Sequence, residues 1–416
     1  MTTAGDPALA PGATAAGVVT GLDLPEFDPA DPTLTGEVYH DRLAALRAKG
    51  WLARSPLAYL VLDHDAGEFF LRARQTAFPG REIADLFGIT GGRMREMIDA
   101  NILNLTGRRH RRLRSLVAHA FTPRAAARWR PVMRDFLAQL WEGLDGSREC
   151  EFVSAFAKPY PSLTIAAVLG APLSDAPRLH EWSGLVQRQF DIKALASEPQ
   201  RIEQATCELY DYVDDLLARR RREPSDDLLS TLLAVEAEGD KLSGPECVNL
   251  VLNVIAGGVD TTQAQLSHGL RALAARPDQW DLLRGDPGLV PRAVAEILRF
   301  EPITPFTARV CTSELTCRGV VFPAGAIVAV CAERANRDQP GGEGFNLMAQ
   351  REDRVLTFGA GAHFCLGSNL ARAELEEALT FLAPRMPGLR PAGRARLGGL
   401  EGIYGVEELP LAWDPA

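Results

Sequence analysis

Phe358-Gly359-Ala360-Gly361-Ala362-His363-Phe364-Cys365-Leu366-Gly367 is the stretch that decides the reading. It runs directly into Ser368-Asn369-Leu370-Ala371-Arg372-Ala373-Glu374-Leu375-Glu376, which has the composition of a good helix. Cys365 therefore lies on a glycine-rich loop just ahead of a helix N-terminus. The dipole and the free N–H groups of that terminus favour thiolate over thiol. The glycines leave the backbone free to turn its N–H groups towards the sulfur, as in anion-binding nests. A thiolate so placed is either a nucleophile or a metal ligand. The plain alternative is a buried, inert cysteine.

Working outward, Ser243-Gly244-Pro245-Glu246 predicts a helix start, with a capping box and an early proline. The apolar pattern continues to Ala275, before Pro277, which is about 32 residues or ~48 Å of helix. At its centre stand Gly257-Gly258-Val259-Asp260-Thr261-Thr262. Each glycine costs roughly 1 kcal/mol against alanine inside a helix, and threonines bonding back to carbonyls bend helices. Two causes suit such a weak centre: close helix packing over the glycines, or a ligand approaching the backbone.

The chain has 416 residues, 46% hydrophobic and 24% charged, enough apolar material for a large core. With 45 Lys and Arg against 54 Asp and Glu, the net charge is −9, which argues against a nucleic-acid protein. No apolar run reaches the ~18 residues of a membrane span. Residues 1–20 contain no Lys or Arg and read as a flexible tail, without the basic start of a signal or transit peptide. The cytoplasm is the expected compartment. Seven cysteines without CxxC spacing predict neither a disulfide framework nor a zinc knuckle.

Most of the chain from Glu37 to Phe300 has helical periodicity, as over Glu203 to Arg222. Tyr59 to Leu62 reads as a strand. Val320-Val321-Phe322 and Ile327 to Val330, around Pro323-Ala324-Gly325, read as a hairpin. Leu397 to Trp413 reads as a closing pair of strands. The expected class is mainly α with a small β-rich lobe, one domain over residues 21–416.

The cysteine stretch resembles the haem-thiolate signature of the cytochrome P450 family, F-x-x-G-x-[HR]-x-C-x-G, filled here by Phe358, Gly361, His363, Cys365 and Gly367. The likeness extends along the chain in the family's order. His110-Arg111-Arg112-Leu113-Arg114 and Phe121-Thr122-Pro123 resemble its H-x-R-L-R…F-[ST]-P helix. Gly258-Val259-Asp260-Thr261-Thr262 is similar to the oxygen-activating helix, Glu296-Ile297-Leu298-Arg299 to E-x-x-R, and Ala335-Asn336-Arg337-Asp338 to A-N-R-D.

The resemblance implies the cytochrome P450 fold and haem b, iron protoporphyrin IX, with Cys365 as the axial ligand to iron. It implies propionate partners in His110, Arg114, Arg309 and His363. Phe358, Gly359 and Gly367 would shape the haem loop, and Gly257 and Gly258 would let dioxygen lie close to an opened backbone. Asp260 and Thr261 would be the acid–alcohol pair that delivers protons, and Glu296 with Arg299 a structural ion pair. The implied activity is that of a haem-thiolate monooxygenase. It would use dioxygen to hydroxylate, epoxidise or oxidatively couple a small organic molecule, such as a natural-product intermediate of secondary metabolism. Electrons would come from a separate ferredoxin and reductase.

Two other classes share the haem loop: a peroxide-driven or non-monooxygenating enzyme, and a non-catalytic haem sensor. The intact Asp260-Thr261 argues against both. Between Gly107 and Arg134 there are nine arginines and no acid, a local basic field in an acidic protein. Arg108, Arg109 and Arg112 are the expected docking residues for an acidic electron donor. The substrate pocket is expected to draw on Ile89 to Asn101, Phe190, Asn253, Gly257, Thr304 to Phe306, and Ile403-Tyr404. This chain departs from the family pattern at Leu105-Thr106-Gly107-Arg108-Arg109, where D-P-P-x is usual before the histidine. It departs again at Gly257, where alanine is usual, and at Val355, where many bacterial members have a histidine.

Overall fold

The computed structural model describes residues 17–237, 242–351 and 354–415; most of the expected tail, residues 1–16, lies outside them. The helices that position the site are α1 (Gly36–Arg47), α2 (His64–Arg72), α3 (Gly92–Ala100), α4 (Gly107–Ala118), α5 (Arg130–Glu142), α6 (Pro159–Leu169), α7 (Ala176–Gln187) and α8 (Pro199–Arg222). After them come α9 (Gly244–Gly258), α10 (Asp260–Ala274), α11 (Val290–Phe300), α12 (Ala332–Arg337) and α13 (Ser368–Leu382). The buried faces of most of them meet in one large apolar cluster that includes Phe152, Phe156, Tyr160 and Trp280, while α1 packs in a separate one with Phe27 and Tyr404. No described helix is long and apolar enough to cross a membrane.

The sheets are small. The largest has five strands: β1 (Leu52–Arg54), β2 (Tyr59–Val61), β3 (Thr76–Ala77), β5 (Phe306–Cys311) and β8 (Ile327–Cys331), in the order β1-β2-β8-β5-β3, with β2 and β8 parallel. A second apolar cluster, with Phe70, Phe322, Val328 and Val330, lies against it. β4 (Glu149–Glu151) pairs with β12 (Pro410–Ala412), which also pairs with β9 (Arg390–Pro391). β10 (Arg396–Leu397) pairs with β11 (Val406–Glu408), so the chain end does supply a closing pair.

Two local expectations are corrected. The hairpin read around Pro323 is not one. β7 (Val320–Phe322) pairs with β6 (Leu315–Cys317) through the tight turn at Arg318 and Gly319, both at positive φ. Pro323 to Ala326 instead carries the chain into another sheet, where β8 pairs with β5 and β2. The long helix is also two. It starts as expected, with both bonds of the Ser243–Glu246 capping box present, and breaks at Val259 (φ −92°, ψ −71°). Three successive carbonyls before the break accept side-chain donors: Ile255 from Ser183, Ala256 from the Gln187 amide, and Gly257 from the Thr261 hydroxyl. Side-chain donors satisfy these carbonyls at the point where the glycines weaken the helix.

Candidate active site

The Cys365 loop is shaped by two left-handed glycines, Gly359 (φ +68°) and Gly361 (φ +69°). At Gly361 a Cβ would sit 3.0 Å from the Leu71 carbonyl and 3.1 Å from the Arg72 Cα, so the loop is pressed onto the end of α2. The Cys365 amide donates to the Phe358 carbonyl at 2.8 Å, closing the loop. Burial pushes the Cys365 thiol up, while the amides of Gly367 and Ser368 and the charge of Arg114 pull it down. Yet Cys365 retains exposed area. The same holds at Gly257, which is exposed between the buried Ala256 and the half-buried Gly258, inside an otherwise covered helix. A Cβ at Gly257 or at Gly367 would meet nothing within 4 Å. These groups border internal open space rather than packed core.

The two glycines of the helix centre divide the two causes offered for them. At Gly258 a Cβ would lie 2.4 Å from Ile165 Cδ1, so Gly258 serves the packing of α9 on α6. Gly257 opens onto space.

Four basic side chains singled out in the sequence are brought together. The rings of His110 and His363 stand 4.3 Å apart. Burial, then His110, Arg309 and Arg114, push His363 down to about 3. Burial likewise lowers His110, helped by Arg114 and Arg111, and its Nε2 is buried without a partner. The Arg114 guanidinium donates to the Phe364 carbonyl. Arg309 is only 4% exposed, and burial lowers it to about 10. It donates to the Ala308 carbonyl, and among the described residues no ion pair is formed with it. A buried guanidinium without an anion is costly. The cluster calls for a polyanionic ligand, and two carboxylates held beside a sulfur donor fit it. Among the described residues no cluster of His, Cys, Asp and Glu suits a metal ion by itself.

Asp260 and Thr261 lie at the break. The Asp260 carboxylate accepts from the Ser183 hydroxyl at 2.5 Å, and burial pushes its carboxyl up. The Thr261 hydroxyl donates to the Gly257 carbonyl at 2.6 Å, beside the open space.

Glu296 and Arg299 form a buried bidentate pair, at 2.7 and 2.9 Å. Sequence reasoning missed its third member. Arg351 donates to Glu296 Oε1 at 2.5 Å, and only its place in the meander after α12 could have pointed to it.

The basic stretch is less bare than its sequence window suggests. Arg112 (2.6 Å) and Arg109 (3.6 Å) both reach Glu246, and Arg130 and Arg134 reach Glu377. Arg108 is exposed. Around the expected pocket, Arg93 pairs with Glu96, and Arg95 with Asp85 and Asp99. Tyr404 does not line a pocket. It is fully buried against Tyr39 and His268, and its hydroxyl accepts from the Gly36 amide.

Comparison with known proteins agrees over the whole architecture. The family model described as Cytochrome P450 matches residues 58–286 and 288–382. Luteothin monooxygenase of Streptomyces thioluteus is 34% identical over 402 residues, covering 95% of this chain and 97% of that protein. Mycinamicin IV hydroxylase/epoxidase of Micromonospora griseorubida is 34% identical, over 76% of this chain and 81% of its own. Among solved structures, CalO2 superposes with a TM-score of 0.88 at 30% identity, covering 94% of this chain and 99% of that one. P450BioI, crystallised with an acyl carrier protein carrying hexadec-9Z-enoic acid, gives 0.83 at 28% identity, covering 91% and 99%.

Proposed function

This chain belongs to the cytochrome P450 family and is a haem-dependent monooxygenase, and from that premise we propose that it oxidises a natural-product intermediate in the cytoplasm with electrons from a ferredoxin. The observation that carries the site assignment is the cluster of the buried His110 and Arg309 with the half-buried Arg114 and His363, which has no acidic partner among the described residues, beside Cys365, which keeps exposed area. In this reading Cys365 holds the iron of haem b through its sulfur, and the two arginines and two imidazoles of the cluster hold the propionates. When bound, haem supplies the chemistry by which a C–H bond, dioxygen, two electrons and two protons become an alcohol and water.

The rest is the work of the chain's own residues. The Gly367 and Ser368 amides and Arg114 favour the sulfur anion against its burial, so the thiol gives up its proton when metal binds. Gly257 leaves room beside the broken helix. Asp260 places a carboxyl at the break whose proton affinity burial raises, and Thr261 presents a hydroxyl one residue on. The substrate class is proposed from the relatives named for luteothin and mycinamicin IV.

Thr261→Ala tests the proton-delivering role. Binding of haem is expected to be unchanged, since the hydroxyl bonds only to the Gly257 carbonyl. NADPH consumption should continue while product per reducing equivalent falls several-fold and hydrogen peroxide rises to match. Unaltered partition would make the threonine structural.

For the electron donor, Arg108 is the docking residue to reverse first, because Arg109 and Arg112 share Glu246. Reduction by a ferredoxin should slow steeply with salt, as exposed charges are screened within about 8–10 Å near physiological ionic strength. Arg108→Glu should raise the ferredoxin concentration giving half-maximal rate. Stopped-flow rates indifferent to both salt and Arg108 would remove this face from consideration.

A further inference from the structure

α7 lies across the joint between α9 and α10, and it presents a polar face there. His180, Ser183 and Gln187 stand at i, i+3 and i+7, on one side of the helix. All three reach the joint. The Gln187 amide donates to the Ala256 carbonyl, and Ser183 bonds both Ile255 and Asp260. His180 Nδ1 is 3.9 Å from Asp260 Oδ1, a gap that one water or a small ring rotation closes. Gly184 lies beside the same oxygen, which a Cβ there would meet at 3.6 Å, an ordinary contact. Both oxygens of Asp260 are thus addressed by α7.

His180 is the unusual member. Its Nδ1 is buried and has no hydrogen-bond partner, although 23% of the side chain remains exposed. One edge of the ring faces Asp260 and the remainder keeps accessible area. We propose that His180 is the proton entry to Asp260, with Ser183 and Gln187 holding the joint in register. This rests on reading Asp260 and Thr261 as the proton-delivering pair. In the step, a proton from water adds at Nε2 and the Nδ1 proton passes to Asp260 Oδ1. The ring ends neutral with its proton on Nε2; rotation of the ring then brings Nδ1 to water, where it gains a proton as Nε2 loses one, restoring the starting tautomer. The net result is one solvent proton on Asp260.

The electrostatics agree. Burial raises Asp260 and lowers His180, which brings their proton affinities together, as reversible transfer requires. Asp260 on α10 raises His180, Lys158 at the edge of α6 lowers it, and Glu181 on α7 itself raises it. The acids on neighbouring elements are engaged elsewhere: Glu208 of α8 with Trp182, and Asp175, ahead of α7, with Tyr212.

Two measurements test this. In histidine-labelled, haem-loaded protein held as the diamagnetic ferrous CO complex, the nitrogen resonances of His180 are followed against pH, assigned by their loss in His180→Gln. In Asp260→Asn, where the facing anion is gone, the His180 titration should move to lower pH. An unmoved titration overturns the proposal without relying on the activity of any His180 variant. Second, NADPH consumption with a surrogate ferredoxin and reductase is measured in H2O and D2O. His180→Gln should slow it roughly tenfold and enlarge the solvent isotope effect. Combining it with Asp260→Asn should add little, because the two share one path. If Asp260→Asn slows turnover and His180→Gln matches the wild type, the entry lies elsewhere and the acid's role stands. If Asp260→Asn itself changes nothing, the underlying reading fails.

Discussion

Cys365→Ser is expected to abolish the red-shifted absorption of the ferrous CO complex and to reduce monooxygenase turnover to background. The substitution removes the only strongly electron-donating atom of the loop, because a neutral hydroxyl neither ionises near neutral pH nor donates charge to iron as a thiolate does. The protein should still fold. Cys365 borders open space rather than packed core, and the loop is held by the Cys365–Phe358 backbone bond and by Gly361 against α2, none of which needs the sulfur. Haem should therefore be retained more weakly, with the cluster of His110, Arg114, Arg309 and His363 intact. The check is the CO difference spectrum alongside the thermal midpoint. A variant that keeps the red-shifted band would show that another group holds the iron.

The chemistry of this loop was legible because it is local. Glycines at fixed offsets, a cysteine and a following helix lie within a short window, and backbone geometry follows from them directly. Bringing His110, Arg114 and Arg309 to His363 needed the family resemblance, since spacing along the chain says nothing about segments so far apart. What remained hidden was decided by tertiary partners. Nothing in residues 176–187 announces that His180, Ser183 and Gln187 face the Asp260 joint, because polar residues on a helix that also carries Arg178 and Glu181 look like any solvated stripe. The nine-arginine window also looked bare only because its acids, Glu246, Glu376 and Glu377, lie far along the chain.

The same distinction explains the fold. Start signals such as the Ser243–Glu246 capping box were readable, and the structure bears them out. The break at Val259 was not, because apolar periodicity continues through it and the donors that capture its carbonyls come largely from α7. Strand partners failed for a similar reason. Pro323-Ala324-Gly325 is good turn chemistry, but it cannot say whether the chain returns to the same sheet or enters another.

The largest loss of stability is expected at Glu296 and Arg299. The pair lies within α11, yet most of its bonding capacity goes to the segment leading towards the Cys365 loop. Arg299 donates to the Gly342 carbonyl at 2.6 Å and to the Gly344 carbonyl at 2.8 Å, while Glu296 accepts from the Asn346 amide and from Arg351. Both side chains are nearly inaccessible, and these bonds hold Glu296 below the usual carboxylate range despite its burial. Truncating either partner strands the other charge away from water, a loss of about 3–5 kcal/mol. Arg299→Ala and Glu296→Ala should thus unfold at much lower urea and shed haem, with the CO band moving to that of a disordered thiolate site. Arg299→Lys should rescue little, because an ammonium cannot match the fork geometry. Arg351→Ala should cost less, as its own side chain keeps some contact with solvent. The sharpest comparison is Glu296→Leu with Arg299→Met: removing both charges should be milder than removing Arg299 alone. Equal urea midpoints for the wild type and Arg299→Ala would mean that this network does not hold the loop in place.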